Sequence, residues 1–226
     1  WTEPPEEAFG WTTSPERAPD TADYVTIDFE TGRPVGLDGK AMDGVPLIEA
    51  LNAVGGKHGV GRIDHVENRL VGIKSRELYE APAAVILHLA HRELESLCLS
   101  KQAQRFKTLV AQEYADLVYN GLWFSGFHQD LAAFVASSQR FVSGQVRIKL
   151  FKGQAIVAGR KSDNSLYSKK LATYETGDQF DHEAAMGFIR LWGLGQQTQA
   201  NLQLLKDGRG FTLPGIAGPG GETGKS

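Results

Sequence analysis

Apolar and polar residues alternate along Tyr24-Val25-Thr26-Ile27-Asp28-Phe29, the two-residue period of a half-buried strand. Thr31-Gly32 then breaks the run, and a second short run from Arg33 to Leu37 ends at Asp38-Gly39, so the spacing predicts a hairpin. Pro46 suits the first turn of a helix whose apolar face is Leu47, Ile48, Leu51 and Val54, with Gly55-Gly56 as its stop. From Gly59 to Glu80 the alternation is imperfect and the charge dense, which predicts two irregular strands, or a strand and loop, beside a cleft. Beyond Pro82 the period lengthens. Ala83, Ile86, Leu87, Ala90, Leu94 and Leu97 recur at three- and four-residue spacing and predict a helix. Phe106, Leu109, Val110, Leu117 and Gly121 continue with a second, and Leu131, Phe134, Val135 and Phe141 mark a third. Alternation returns at Gln145 to Phe151 and Ala155 to Gly159, about Lys152-Gly153, as a second hairpin, and a last helix begins near Asp181 and passes Leu191. Strands and helices are segregated, so the fold class is α+β, with antiparallel strands and a helical middle segment.

The ends differ from this body. Residues 1–23 carry Pro4, Pro5, Pro15 and Pro19 and read as extended chain lying on the surface. Residues 24–202 hold all the periodic segments and form the expected domain, and residues 203–226, Gly-rich from Asp207, have no periodicity and read as a flexible tail. No internal repeat is evident. The first residue is Trp1 rather than Met, which points to a cut in a longer polypeptide or to an expression boundary.

Composition narrows the function. The 226 residues are 41% hydrophobic and 23% charged, which suits a globular core, and the formal net charge of -3 offers no field to draw a polyanion, so nucleic acid is a poor partner. No run approaches the roughly 18 apolar residues needed for a membrane span. The single cysteine, Cys98, lies in a helical pattern and reads as an inert buried thiol in a protein of the reducing cytoplasm.

Several chemical motifs fail on inspection. The terminal G-P-G-G-E-T-G-K-S imitates a phosphate-binding loop, but the required first Gly falls on Pro219 and no helix follows. His88 and His91 are three apart on a predicted helix and could face one metal, yet zinc needs three or four ligands and none joins them, so they read as a surface or interface pair. His128 and His182 look isolated, and no nucleophile elbow or Cys-His signature occurs. Catalytic residues and metal ligands are therefore expected to be none.

The informative stretch is G-K-H-G-V-G-R-I-D-H-V-E-N-R-L-V-G-I-K-S-R-E-L-Y-E-A-P-A, 56–83, where Asp64, Glu67, Arg69, Lys74, Arg76 and Glu77 stand among apolar residues and Tyr79 lies close to a helix start. Clustered charge of this kind marks either a ligand site or an ordinary solvated strand edge. The stretch resembles the most distinctive segment of the C-terminal half of argininosuccinate synthases. W-T-E-P-P-E-E-A-F-G-W-T-T-S-P-E at the start, N-G-L-W-F-S near Gly121, V-R-I-K-L-F-K-G near Lys149, S-L-Y-S near Tyr167 and G-F-I-R-L-W-G-L near Trp192 are similar to that family too. These blocks occur in the family's order from Trp1 to about Gln199.

The resemblance implies part of an ATP-dependent ligase that joins citrulline to aspartate, giving argininosuccinate, AMP and pyrophosphate in arginine biosynthesis. It also implies a homotetramer assembled through this half. The family's S-G-G-x-D-T-S and T-G-K-G-N-D segments, which serve pyrophosphate and aspartate, do not occur here. ATP and Mg are thus expected of the complete enzyme and not of this chain, which would be inactive without an N-terminal nucleotide-binding module. Glu67 of V-E-N-R and Tyr79 of E-L-Y-E match the family's citrulline contacts, and a carboxylate and a phenol suit an ammonium and a hydrogen-bonding ligand. Two other classes remain open: a non-catalytic assembly or regulatory module, and one subunit of a split synthase.

Overall fold

A computed structural model describes residues 1–169 and 181–204. The chain divides into two compact units, Trp1–Ser168 and Lys169–Ser226. The tail from Asp207 and the Pro219 motif lie outside the described residues.

The first unit is built on a five-stranded antiparallel sheet. Its strands are β1 (Asp23–Glu30), β2 (Arg33–Leu37), β3 (Lys40–Ala41), β6 (Gly144–Phe151) and β7 (Gln154–Lys161), in the order β3-β2-β1-β6-β7. Both predicted hairpins are present. Their two-residue turns, Thr31-Gly32 and Lys152-Gly153, have positive φ at both positions, the geometry that matches the twist of paired strands. Alternation does the rest: Val25, Ile27 and Phe29 of β1 and Val146, Ile148 and Leu150 of β6 all face one side and are buried.

That side is covered by α1 (Gly44–Lys57) and α2 (Pro82–Cys98), which contribute Leu47, Leu51, Ile86, Ala90 and Leu94 to the same core. Each fully buried Leu or Ile here contributes about 1.5–3 kcal/mol relative to exposure. Two details of the sequence reading are corrected on α1. Ile48 does not join the core and is 45% exposed, whereas Leu47 and Leu51 are fully buried and Val54 packs against the same cluster. Gly55-Gly56 does not stop the helix, which runs through both glycines to Lys57. The pair serves close approach instead: a Cβ on Gly55 would lie 2.8 Å from Pro82 Cβ, and one on Gly56 would lie 2.5 Å from the Trp11 carbonyl oxygen.

The middle helices are α3 (Lys101–Tyr119) and α4 (Gly126–Ser138), with Ser100 and Ser125 capping them by accepting the amides of Ala103 and His128. They pair through a small cluster of Val110, Leu117 and Leu131, supported by Tyr114, Phe134 and Val135. Gly121 lies past the end of α3 with φ +70°, and Phe141 belongs to a 3-10 turn, Gln139–Phe141, after α4 ends. Nor is His128 isolated: its Nε2 lies 2.8 Å from the Tyr114 hydroxyl, and its ring packs on Trp123.

A buried polar network ties α3 and the 3-10 turn to α2. The Gln139 amide donates to Glu95 at 2.6 Å, Lys107 Nζ lies 2.9 Å from the same carboxylate, and Gln139 Oε1 is 2.9 Å from His91 Nε2. Burial pushes His91 below the usual imidazole range. Cys98 is buried, as expected, with its thiol 3.3 Å from the Ser162 hydroxyl.

In the second unit, α5 (His182–Gln199) begins as predicted, with Asp181 accepting the amide of Ala184, and passes into a π-helical turn, Ala200–Leu204. Among the described residues no helix is long and apolar enough to cross a membrane.

Candidate functional site

The charged stretch folds as a second, two-stranded sheet, β4 (Arg62–Asn68) and β5 (Lys74–Glu80). The expectation of irregular strands is overturned: all seven residue pairs, from Arg62 opposite Glu80 to Asn68 opposite Lys74, follow one unbroken antiparallel register. Arg69 N donates to Ile73 O at 2.7 Å, and Gly72 with φ +83° turns the chain between the strands.

Because side chains alternate faces, the odd-numbered residues from Ile63 to Glu67 and from Ser75 to Tyr79 share one side, and the even-numbered ones share the other. The two faces do different work. On the even face Arg62 donates to both Glu6 carboxylate oxygens, at 2.6 and 2.9 Å, and to the Thr12 hydroxyl and carbonyl, while its guanidinium lies 4.1 Å above the Phe9 ring. Glu80 accepts the amides of Gly10, Trp11 and Thr12 and the Thr12 hydroxyl at 2.6–3.0 Å. Arg76 pairs with Asp64 and donates to the Thr2 carbonyl at 2.9 Å. This face therefore clamps the N-terminal segment, whose course is extended apart from a 3-10 turn at Glu6–Ala8.

The odd face carries the predicted ligand residues, and the fold brings them together. Tyr79 and Glu67 are not opposite each other, since Tyr79 pairs with Ile63 and Glu67 with Ser75. Tyr79 reaches along the sheet and its hydroxyl donates to Glu67 Oε2 at 2.9 Å. Glu67 Oε1 lies 3.4 Å from Arg69 Nη1, and Arg69 Nη2 bonds Glu77. The Glu67 carboxylate raises the Tyr79 pKa, because a phenolate beside it would add a second negative charge. Tyr79 stays a neutral donor.

Arg69 and Glu77 were visible in sequence only as members of a charged stretch. Strict parity would have put Glu67, Glu77 and Tyr79 on one face, but the signal depends on a register that the sequence does not print. Arg62, Glu80 and Thr12 were missed as a clamp because 50 to 70 residues separate the partners. His88 and His91 diverge: His88 is exposed, while His91 packs on Phe29 and bonds Gln139. No group of three or more His, Cys, Asp or Glu among the described residues is placed to hold a metal ion.

A family model, the arginosuccinate synthase C-terminal domain, matches residues 1–199. The chain belongs to the argininosuccinate synthase family. It is 56% identical over 93% of its length to the argininosuccinate synthase of Dehalococcoides mccartyi, covering 52% of that protein. To the synthases of Symbiobacterium thermophilum and Listeria monocytogenes it is 56% identical over 91% and 89% of its length, covering 51% and 50% of them. The chain spans about half the length of the curated relatives it matches. Its mixed helices and antiparallel sheets are those of the synthase C-terminal domain, and the family is one of ligases of arginine biosynthesis.

Proposed function

We propose that the chain is the C-terminal part of an ATP-dependent ligase that condenses citrulline with aspartate, and that it supplies part of the citrulline site and the surface on which the enzyme assembles as a homotetramer. The observation that carries the reading is the Glu67–Tyr79 hydrogen bond on the odd-numbered face of the hairpin, at the residues that match the family's citrulline contacts. A carboxylate whose second oxygen is loosely held is suited to receive an ammonium, and the neutral phenol fixes its orientation. Holding the amino-acid end of citrulline in this way leaves its ureido end directed at whatever completes the site.

ATP and Mg belong to the complete enzyme in this reading. Adenylyl transfer needs phosphate-cradling amides and basic groups, and the family segments that provide them do not occur in these 226 residues. The partner is an N-terminal nucleotide-binding module, and the single buried cysteine fits a cytoplasmic enzyme.

Kinetics of the complete synthase, with citrulline varied at saturating ATP and aspartate, test the site. Glu67→Gln is expected to raise the KM for citrulline roughly tenfold to a hundredfold, the usual effect of losing a charge-assisted contact, and Tyr79→Phe to raise it less. The KM for ATP stays near the wild-type value in both. An unchanged citrulline KM in Glu67→Gln, with loss of assembly instead, would make the residue structural.

A further inference from the structure

Glu67 is not the only charge at this end of the hairpin. Arg69, the first residue past β4, is half-exposed, and its guanidinium has two carboxylate neighbours that it treats unequally. Nη2 bonds Glu77, whereas Nη1 stands 3.4 Å from Glu67 Oε1 and makes no hydrogen bond there. Arginine carries five N–H donors in a rigid planar fork, so one anchored edge fixes the direction of the others. Glu77 thus holds a half-exposed cation beside Glu67, with N–H donors beyond those that Glu77 occupies. Ser75, directly opposite Glu67, adds a hydroxyl with no hydrogen-bond partner in the structure.

An α-amino acid presents an ammonium and a carboxylate on one carbon, so its two charged groups need partners of opposite sign placed side by side. Glu67 Oε1 and Arg69 Nη1 have that arrangement. A plain amine would meet Glu67 with a guanidinium alongside, and the like charges would repel. A ligand that brings its own carboxylate turns the same guanidinium into a partner, with the planar geometry that suits bidentate binding.

We propose that Arg69 binds the α-carboxylate of the amino acid whose ammonium Glu67 receives, that Glu77 is the positioning residue for Arg69, and that the pair makes the site specific for an α-amino acid zwitterion. This rests on the assignment of the hairpin face to citrulline. His65 lies opposite Glu77 on the same face and Tyr79 beyond it, and neither supplies the positive charge that a carboxylate needs in the way that a permanently charged guanidinium does.

The test uses the complete synthase with two ligands, citrulline as substrate and its α-carboxamide, which keeps the ammonium and loses the carboxylate charge, as competing inhibitor. Arg69→Gln is expected to raise the citrulline KM roughly tenfold or more, the cost of a lost charge-assisted contact, with kcat and the KM for ATP little changed. The inhibition constant of the carboxamide stays the same, so the preference for citrulline over its carboxamide collapses. Arg69→Lys restores part of that preference, and Glu77→Gln weakens citrulline in the same direction by a smaller factor. If Arg69→Gln weakens both ligands equally, or neither, while Glu67→Gln still raises the citrulline KM, the carboxylate role is wrong. If Glu67→Gln also leaves the KM unchanged, the citrulline assignment fails and this inference fails with it.

Discussion

Glu6 and Glu80 fasten the N-terminal segment to the hairpin, and both carboxyls are held below their ordinary range. The Arg62 hydrogen bond, reinforced by Arg17, takes Glu6 from 4.5 down to about 2. Burial works to raise Glu80, yet the Thr12 hydroxyl and the amides of Gly10, Trp11 and Thr12 overcome it and leave the group lowered. A carboxylate with a depressed folded pKa stabilises the fold fully above its unfolded value and loses that contribution as pH falls through the folded value. Attachment of residues 1–13 should therefore be intact at pH 5 and weaken between about 4.5 and 2. NMR amide shifts of Gly10, Trp11 and Thr12 in the 226-residue chain report it directly. They should hold steady down to the ordinary carboxylate range and move below it, and earlier movement would mean that the clamp does not form. At this scale the sequence singles out Glu67 and Tyr79 by their motifs, and the fold brings the two side chains into contact. It was silent on Arg62 and Glu80, whose partners are brought close only by the fold.

Glycine at Gly55 and Gly56 shows how an element can be placed correctly and its punctuation misread. A Gly pair after an apolar helical run is a valid stop signal, because the residue past a helix end often needs a conformation that only glycine adopts freely. Here the pair lies inside α1, where the start of α2 and the N-terminal segment come too near for a side chain. Gly55→Ala would press its Cβ against Pro82 and Ile86 and should destabilise the fold by about 1–3 kcal/mol, the usual cost of overpacking. Gly44→Ala is the control: it lies in the first turn of the same helix, its Cβ meets nothing within 4 Å, and the change should be neutral or stabilising by up to about 1 kcal/mol. Urea denaturation of the two variants against wild type decides the point. Equal and small effects would show that the α1–α2 contact tolerates a methyl group.

Across the whole of the first unit, the middle helices leave the most large apolar side chains in solvent. Phe106, Leu109, Val118, Tyr119, Leu122, Phe124 and Phe127 on and between α3 and α4 are all exposed, with Phe124 at 96%. Large apolar side chains left in solvent on neighbouring elements are candidates for an assembly contact. The chain alone is expected to run as a dimer or tetramer in light scattering, and Phe124→Asp with Leu109→Asp should shift it towards monomer with its far-ultraviolet dichroism unchanged. A wild-type monomer at high concentration would place the assembly contacts elsewhere.

Both hairpins of the five-stranded sheet, all five helices that the structure describes and the cap at Asp181 could be read from the chain, because hydrophobic period and turn residues are local properties. The helix over Pro82 to Cys98 is of this kind: Ile86, Ala90 and Leu94 recur at helical spacing and all are buried. Where a periodic residue ends up facing was not local, and Ile48 and Phe106 carry the helical pattern yet remain half-exposed, Phe106 even though its ring meets Phe134 edge-on. The boundary between α4 and the turn at Gln139 was likewise set by Glu95 and His91 from another helix. Glu67 and Tyr79 followed from motif, 12 residues apart in the chain. That they touch, with Arg69 and Glu77 beside them and the N-terminal segment clamped behind, was decided by an antiparallel register, which depends on how two strands meet and not on either strand alone.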